Sequence, residues 1–295
     1  MTDFILSATS TVDIDEETLD KLNIKWIPFN YEIDGVEYQD DFGKTIKIND
    51  FYERMVNGAI TKTSQITYST YLTYFRKLLD EGYDILHLCL SSGITGEYNQ
   101  ALMARDMLKE EYPEKKVYVV DSLTATSCQG LLLLTMQEKK EAGMSIEELY
   151  EWTIENRNYI NGWFFTSDLT YLVRGGRVSK AAGSFGNLLS ICPLIEVNAE
   201  GKLEVREKIR TKKKACKALI KKLLDLIEYN DDYINDIYIV HTHLYDDAED
   251  LKETIKEKLP AYADRIKIFE VGTTIGAHLG PGTLGVIFWG KKKII

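Results

Sequence analysis

The chain's 295 residues amount to roughly two domains at about 100–200 residues each, and 44% hydrophobic with 28% charged residues is the composition of a folded protein rather than of a disordered, collagenous or coiled-coil one. Thirty-six Lys and Arg against 46 Asp and Glu leave a formal charge of −10, which argues against attraction of the whole chain to nucleic acid or anionic lipid. No stretch reaches the ~18 apolar residues of a membrane span; the densest is Leu131-Leu132-Leu133-Leu134.

The opening Met1-Thr2-Asp3-Phe4 carries an acid where a secretory leader wants a base, so the expected compartment is the cytoplasm. Cys89, Cys128, Cys192 and Cys216 lie far apart with no paired spacing, so no metal site is expected of them.

In chain order, Phe4-Ile5-Leu6 reads as a short strand, followed by a helix over 15–22 and a strand over 24–29. Tyr31, Ile33, Val36 and Tyr38 alternate about Asp34-Gly35, a hairpin turn pair. Helices are predicted over 50–56 and 69–79, then a buried strand over 85–90, a helix over 97–109, a strand over 117–120 and one long helix from Thr124. The second half restarts with a strand over 162–165, a short helix capped by Asp168 and ending at Gly175-Gly176, and a helix opening at Ser179. A hairpin (193–197 with 203–205), a basic helix (211–227), a strand (237–241), a helix (248–258) and strands over 266–271 and 284–289 follow. Alternating strands and helices predict an α/β fold. The polar stretch 155–161 is the best boundary, giving domains 1–160 and 161–295.

Three segments are dense in hydroxyls or glycines next to strands or helices: 63–67 (TSQIT), 91–96 (SSGITG) and 272–282 (GTTIGAHLGPG). Each is read as a loop. Alone, the first two are ordinary helix capping; together the three point to an anion site, because loops at strand ends build ligand crevices and offer free backbone N–H groups. His278 is the one histidine of four within glycines, whereas His87 sits in an apolar strand and reads as structural, as Cys89 reads as a small buried hydrophobe. His241 and His243 close a strand and are a weak metal pair.

Gly175-Gly176-Arg177 is a helix stop followed by a free guanidinium, and 208–222 holds eight bases and no acid, either a solvated face or a local positive patch for an acidic partner. Walker, nucleophile-elbow, zinc-protease and dinucleotide motifs are absent, which favours a binder over a catalyst.

With those residues in view, the chain resembles the DegV family of bacterial fatty-acid-binding proteins over almost its full length, through KTSQIT (62–67), LSSGITGEYNQA (90–101), VVDSLTA (119–125), YLVRGGRVSKAAGSFGNLLSICPLIEV (171–197), IRTKKKA (209–215) and IGAHLGPGTLGVIF (275–288). The resemblance implies two α/β domains with a fatty acid in the cleft between them. It also implies a non-enzymatic lipid-binding subunit of a fatty acid kinase system serving phospholipid precursor metabolism. In that role it presents the acyl carboxylate to a separate ATP-dependent kinase subunit, with no cofactor, no nucleic acid and at most transient membrane contact. The carboxylate is then held by Thr63, Thr95 and His278, with Ser64, Ser92, Gly93, Thr274, Gly276, Arg177 and Arg210 as supporting contacts to the head group or the partner. Phe164, Phe165, Phe185, Leu188 and Leu189 are candidate tail-pocket residues that read equally as core. Thr95, Ile66, Thr9 and Leu123 depart from the family pattern, which has Ser, Pro, Asp and Lys there. The alternative reading is an enzyme on a small anionic acyl or phosphate substrate with His278 as general acid/base.

Overall fold

A computed structural model describes residues 4–179, 191–228 and 235–294. Four parallel strands, β1 (Phe4–Thr9), β2 (Lys25–Ile27), β6 (Asp84–Cys89) and β7 (Val117–Asp121), form a sheet in the order β2-β1-β6-β7. Every residue of β1 and β6 is buried, as expected of parallel strands covered on both faces. Between them run α1 (Glu16–Lys21), α3 (Tyr68–Asp80) and α4 (Glu97–Glu111). Asp15 and Thr67 cap α1 and α3 by accepting from Thr18 N and Thr70 N.

A second sheet of six strands, in the order β10-β9-β8-β13-β11-β12, uses only residues from 160 onward: β8 (Ile160–Thr166), β9 (Ile191–Val197), β10 (Leu203–Arg210), β11 (Ile237–His241), β12 (Ile266–Glu270) and β13 (Thr283–Trp289). Only β11 and β12 pair in parallel. Alternation divides its side chains cleanly. Phe164, Ile195, Val240 and Ile287 join the core of the first sheet, while Phe165, Leu194, Ile239 and Val286 face a second core under α8 (Lys212–Leu226) and α9 (Tyr245–Lys258).

A third, antiparallel sheet joins β3 (Asn30–Ile33), β4 (Val36–Gln39) and β5 (Thr61–Ser64) in the order β4-β3-β5. Asp34 and Gly35, both at positive φ, make the turn.

Three differences from the sequence reading matter for the site. Thr63 lies on the edge strand β5, paired with Tyr31, instead of in a loop. Its apolar partners are in β3, far away in sequence, so nothing local marks the strand. The long helix is two: α5 (Ser127–Glu141) ends at Gly143, at φ +99, and α6 (Ile146–Asn156) restarts behind a Ser145/Glu148 capping box. Residues 273–279 form a helix, α10 (Thr273–Leu279), flanked by Gly272 and Gly280. Gly280, at φ +69, ends it where a side chain would collide with Tyr171.

The Leu-rich α5 touches β1, β8 and β13. It is therefore buried between the two large sheets, which explains its nearly all-round hydrophobicity. Helix α10 is held by β3, β5 and α2 (Ile48–Val56) on one side and α7 (Thr170–Arg174) on the other.

Candidate functional site

Between the face of the six-stranded sheet and α5 lies an almost wholly apolar cavity that opens at one mouth. The sheet contributes Gly162, Phe164, Val240, Thr283 and Ile287, α5 and its approach contribute Ala125, Thr126 and Cys128, and Ile275, His278 and Leu279 come from α10. Gly162 stands opposite Ile287 in the strand register. A Cβ on Gly162 would come within 2.5 Å of Cys128 Sγ, so glycine at this inward position lets α5 pack directly against the sheet beside the cavity.

Polar groups gather where α10, β5 and α7 meet. Thr61 and Thr63 occupy the same face of β5: the Thr61 hydroxyl donates to Ala277 O at 3.1 Å, and Thr63 Oγ1 is 2.7 Å from His278 Nε2. On the other side of the ring, a Cβ at Gly175 would lie 2.2 Å from His278 Nδ1, so the first glycine of the GGR segment is a steric necessity. Gly176 turns the chain at φ +73 and Arg177 N bonds back to Leu172 O. The guanidinium is therefore not free at the surface as the sequence suggests. It is half-buried on the cavity wall, its Nη1 donates to Gly175 O, and its Nε has no partner. Burial lowers its pKa. Burial, and then the Arg177 charge, pull His278 down to about 4, so at neutral pH the ring is uncharged beside a fixed cation. Thr283 Oγ1 is also buried without a hydrogen bond. An apolar cavity ending in a cation, a hydroxyl and spare donors suits an amphiphile with an anionic head.

The structure thus brings Thr63, His278 and Arg177 together. Thr95 lies close by in sequence to the cavity-lining Ile94, but among the described residues no hydrogen bond joins its side chain to the pair. The 63–67 and 91–96 segments do meet, with Gln65 Oε1 against Gly96. Ser64 lines a separate surface groove. Gly93 packs on the Glu200–Gly201 backbone and Ser92 N donates to Asp121, so both shape the loop. Thr274 N donates to Asp40, and Gly276 leaves room for the Tyr52 hydroxyl; both serve the packing of α10. Arg210 is exposed at the end of β10, outside the cavity lining.

The basic stretch is less positive than its own residues suggest, because Lys212, Lys221 and Lys222 pair with Asp247, Asp225 and Glu207 from outside it. Phe164 lines the cavity, whereas Phe165 points into the second core by strand alternation. Phe185, Leu188, Leu189 and the helix expected after Ser179 lie outside the described residues.

Sequence reasoning missed most of the wall: Gly162, Cys128, Thr126, Val240 and Ile287. The alternation in β8 and β13 was the available signal. It also missed a buried acid pair behind Thr126, whose hydroxyl donates to Asp13 at 2.6 Å. Asp13 and Asp40 both have raised pKa values, chiefly from burial, and Asp13 also feels the Asp40 charge. Among the described residues no helix is long and apolar enough to cross a membrane.

The family model described as "Uncharacterised protein, DegV family" matches residues 7–291. A DegV domain-containing protein of Clostridium perfringens is 35% identical over 293 residues, 99% of each chain. Among solved structures, a DegV lipid-binding protein from Thermotoga maritima superposes with a TM-score of 0.82 at 30% identity over 100% of both chains. A fatty-acid-binding DegV family protein from Streptococcus agalactiae does so at 0.84 and 27%, covering 99% of this chain and 100% of its own.

Proposed function

The chain belongs to the DegV family, and on that footing we propose that it is a fatty-acid carrier of two lobes, 1–160 and 161–295. It buries the acyl chain and offers the carboxylate to a separate ATP-dependent kinase subunit in the cytoplasm, itself doing no bond chemistry. The observation that carries this reading is the apolar cavity with Thr63, His278 and Arg177 at one end. Each buried methylene contributes about 0.8 kcal/mol, so about ten supply ~8 kcal/mol, near micromolar affinity before ordering costs. The tail sets affinity and the polar end sets orientation.

The head-group geometry is a relay. With its proton on Nε2, neutral His278 donates to Thr63 Oγ1 2.7 Å away, and the Thr63 hydroxyl proton then turns toward a carboxylate oxygen. Arg177 balances the charge. Thr95, on the neighbouring segment, is the third donor, reached when the head group is in place.

Solvent extraction of purified protein followed by mass spectrometry tests the reading: a bound long-chain fatty acid is expected. With ATP and a fatty acid kinase subunit, acyl phosphate should form and be trapped as hydroxamate. A protein that carries no acyl chain and takes up none refutes the carrier role. Turnover of an acyl or phosphate ester by the isolated chain would favour instead an enzyme using His278.

A further inference from the structure

Away from the cavity, three donor groups of different chemistry meet inside the first core. His87 and Cys89 are two residues apart on β6 and share a face; Glu97 opens α4. One donor atom of each lies within 4.8 Å of the others, and all three residues are fully buried. His87 Nδ1 is 2.8 Å from Ser7 Oγ, which orients the ring and turns Nε2 inward, where the Tyr71 hydroxyl is 3.3 Å away. That hydroxyl donates to Glu97 Oε1, while Oε2 makes no hydrogen bond of good geometry. Cys89 and the Leu90 backbone also offer hydrogen bonds to the carboxylate, so the donor groups face one another around it, while burial and the like charge of Asp121 oppose its ionisation.

We propose that His87 Nε2, Cys89 Sγ and the Glu97 carboxylate form a buried structural site for one zinc ion, filled as the chain folds. Thiolate and carboxylate together carry the charge that a divalent ion cancels, so the loaded cluster enters the core neutral. Binding releases the Cys89 thiol proton and, where Glu97 is protonated, its proton too. A mixed N, S and O set selects zinc over calcium or magnesium, which take oxygen alone. Ser7 on His87 Nδ1 is the outer hydrogen bond that a metal-bound imidazole requires. Three protein donors leave one position of a tetrahedral ion, and the Tyr71 hydroxyl, 3.3 Å from His87 Nε2 and against Glu97, stands where it would close that position.

The full chain, refolded from denaturant with one equivalent of Co²⁺ in place of zinc, provides the test. The expected result is stoichiometric cobalt with a thiolate-to-metal charge-transfer band that Cys89→Ala abolishes. Glu97→Gln should weaken binding about tenfold or more, and fatty-acid uptake should be unchanged in both variants. Substoichiometric cobalt without that band, or a band that persists in Cys89→Ala, overturns the proposal. Should Cys89→Ala not fold, Cys216→Ser decides, since Cys216 is the one thiol of four that is not fully buried: survival of the band supports the core site and its loss overturns it.

Discussion

His87 and His278 are both held neutral by burial, His87 down to about 3 and His278 to about 4, yet their surroundings differ. His278 sits on a two-turn helix between β5 and α7, hydrogen-bonded to one hydroxyl and facing a cavity and a guanidinium. His87 sits in a central parallel strand, closed in by Ser7, Tyr71, Cys89 and Glu97 with no opening. Similar burial therefore produces similar proton affinity but different capability. What separates the two regions is whether the spare donors face empty space or one another.

That contrast can be broken or sharpened experimentally. The largest expected effect is on the open region: Gly162→Leu puts a side chain into the cavity beside Cys128, excluding about four methylenes of ligand. Affinity for a long-chain fatty acid should fall about a hundredfold at ~0.8 kcal/mol each. Calorimetric titration measures it, and unchanged circular dichroism shows that the sheet survives. Arg177→Met keeps the half-buried stem and removes the charge, so carboxylate binding should weaken about 10–100-fold for a loss of ~1.5–3 kcal/mol. Affinity for a fatty alcohol of equal length should hardly change, and equal losses for acid and alcohol would remove Arg177 from the head-group site.

The closed region should answer to pH instead. Glu97 has a raised pKa, so its stabilising contribution is complete below about 4.5 and is lost as pH rises through about 7. In chelator-treated protein, Glu97→Gln should therefore gain on wild type between pH 5 and pH 8, by the order of 1–3 kcal/mol in urea unfolding. A pH-independent difference would place the penalty elsewhere. The smallest effect belongs to the relay: Thr63→Val should cost about tenfold in affinity, the low end (~1.5 kcal/mol) for a hydrogen bond to a charged group. His278 runs the other way from Glu97, its stabilising contribution present above about 6.5 and lost as pH falls toward 4. A bound carboxylate should raise its NMR-titrated pKa by about one unit, and an unmoved value would separate the ring from the ligand.

Much of this was legible locally. Strand cores such as 85–90, the Asp34-Gly35 turn and the α/β order follow from periodicity and turn chemistry, and the expected α/β fold is the one seen. Thr63, His278 and Arg177 stood out as a hydroxyl, a ring and a guanidinium in glycine- or hydroxyl-dense segments. Less legible were β5, whose pairing partner is about thirty residues away, and α10, whose glycines read as loop although its buried TTI-AHL face demands a helix. Gly162 carried no motif. Its place shows only in the fold, where Cys128 Sγ packs so close that a Cβ would collide with it.

By itself the sequence determined the elements, their alternation and the residue types available for anion binding, because propensity, capping and periodicity act over a few residues. Only the tertiary structure decided which groups meet. Thr63 reaches His278 across 215 positions, and acids from Asp225, Asp247 and Glu207 neutralise bases that looked unopposed. His87 and Cys89, which read singly as a structural ring and a small buried hydrophobe, share one buried pocket of donors with Glu97. Hydrogen bonds, charge and burial depend on distance in space, and distance is set by how the two sheets close on α5.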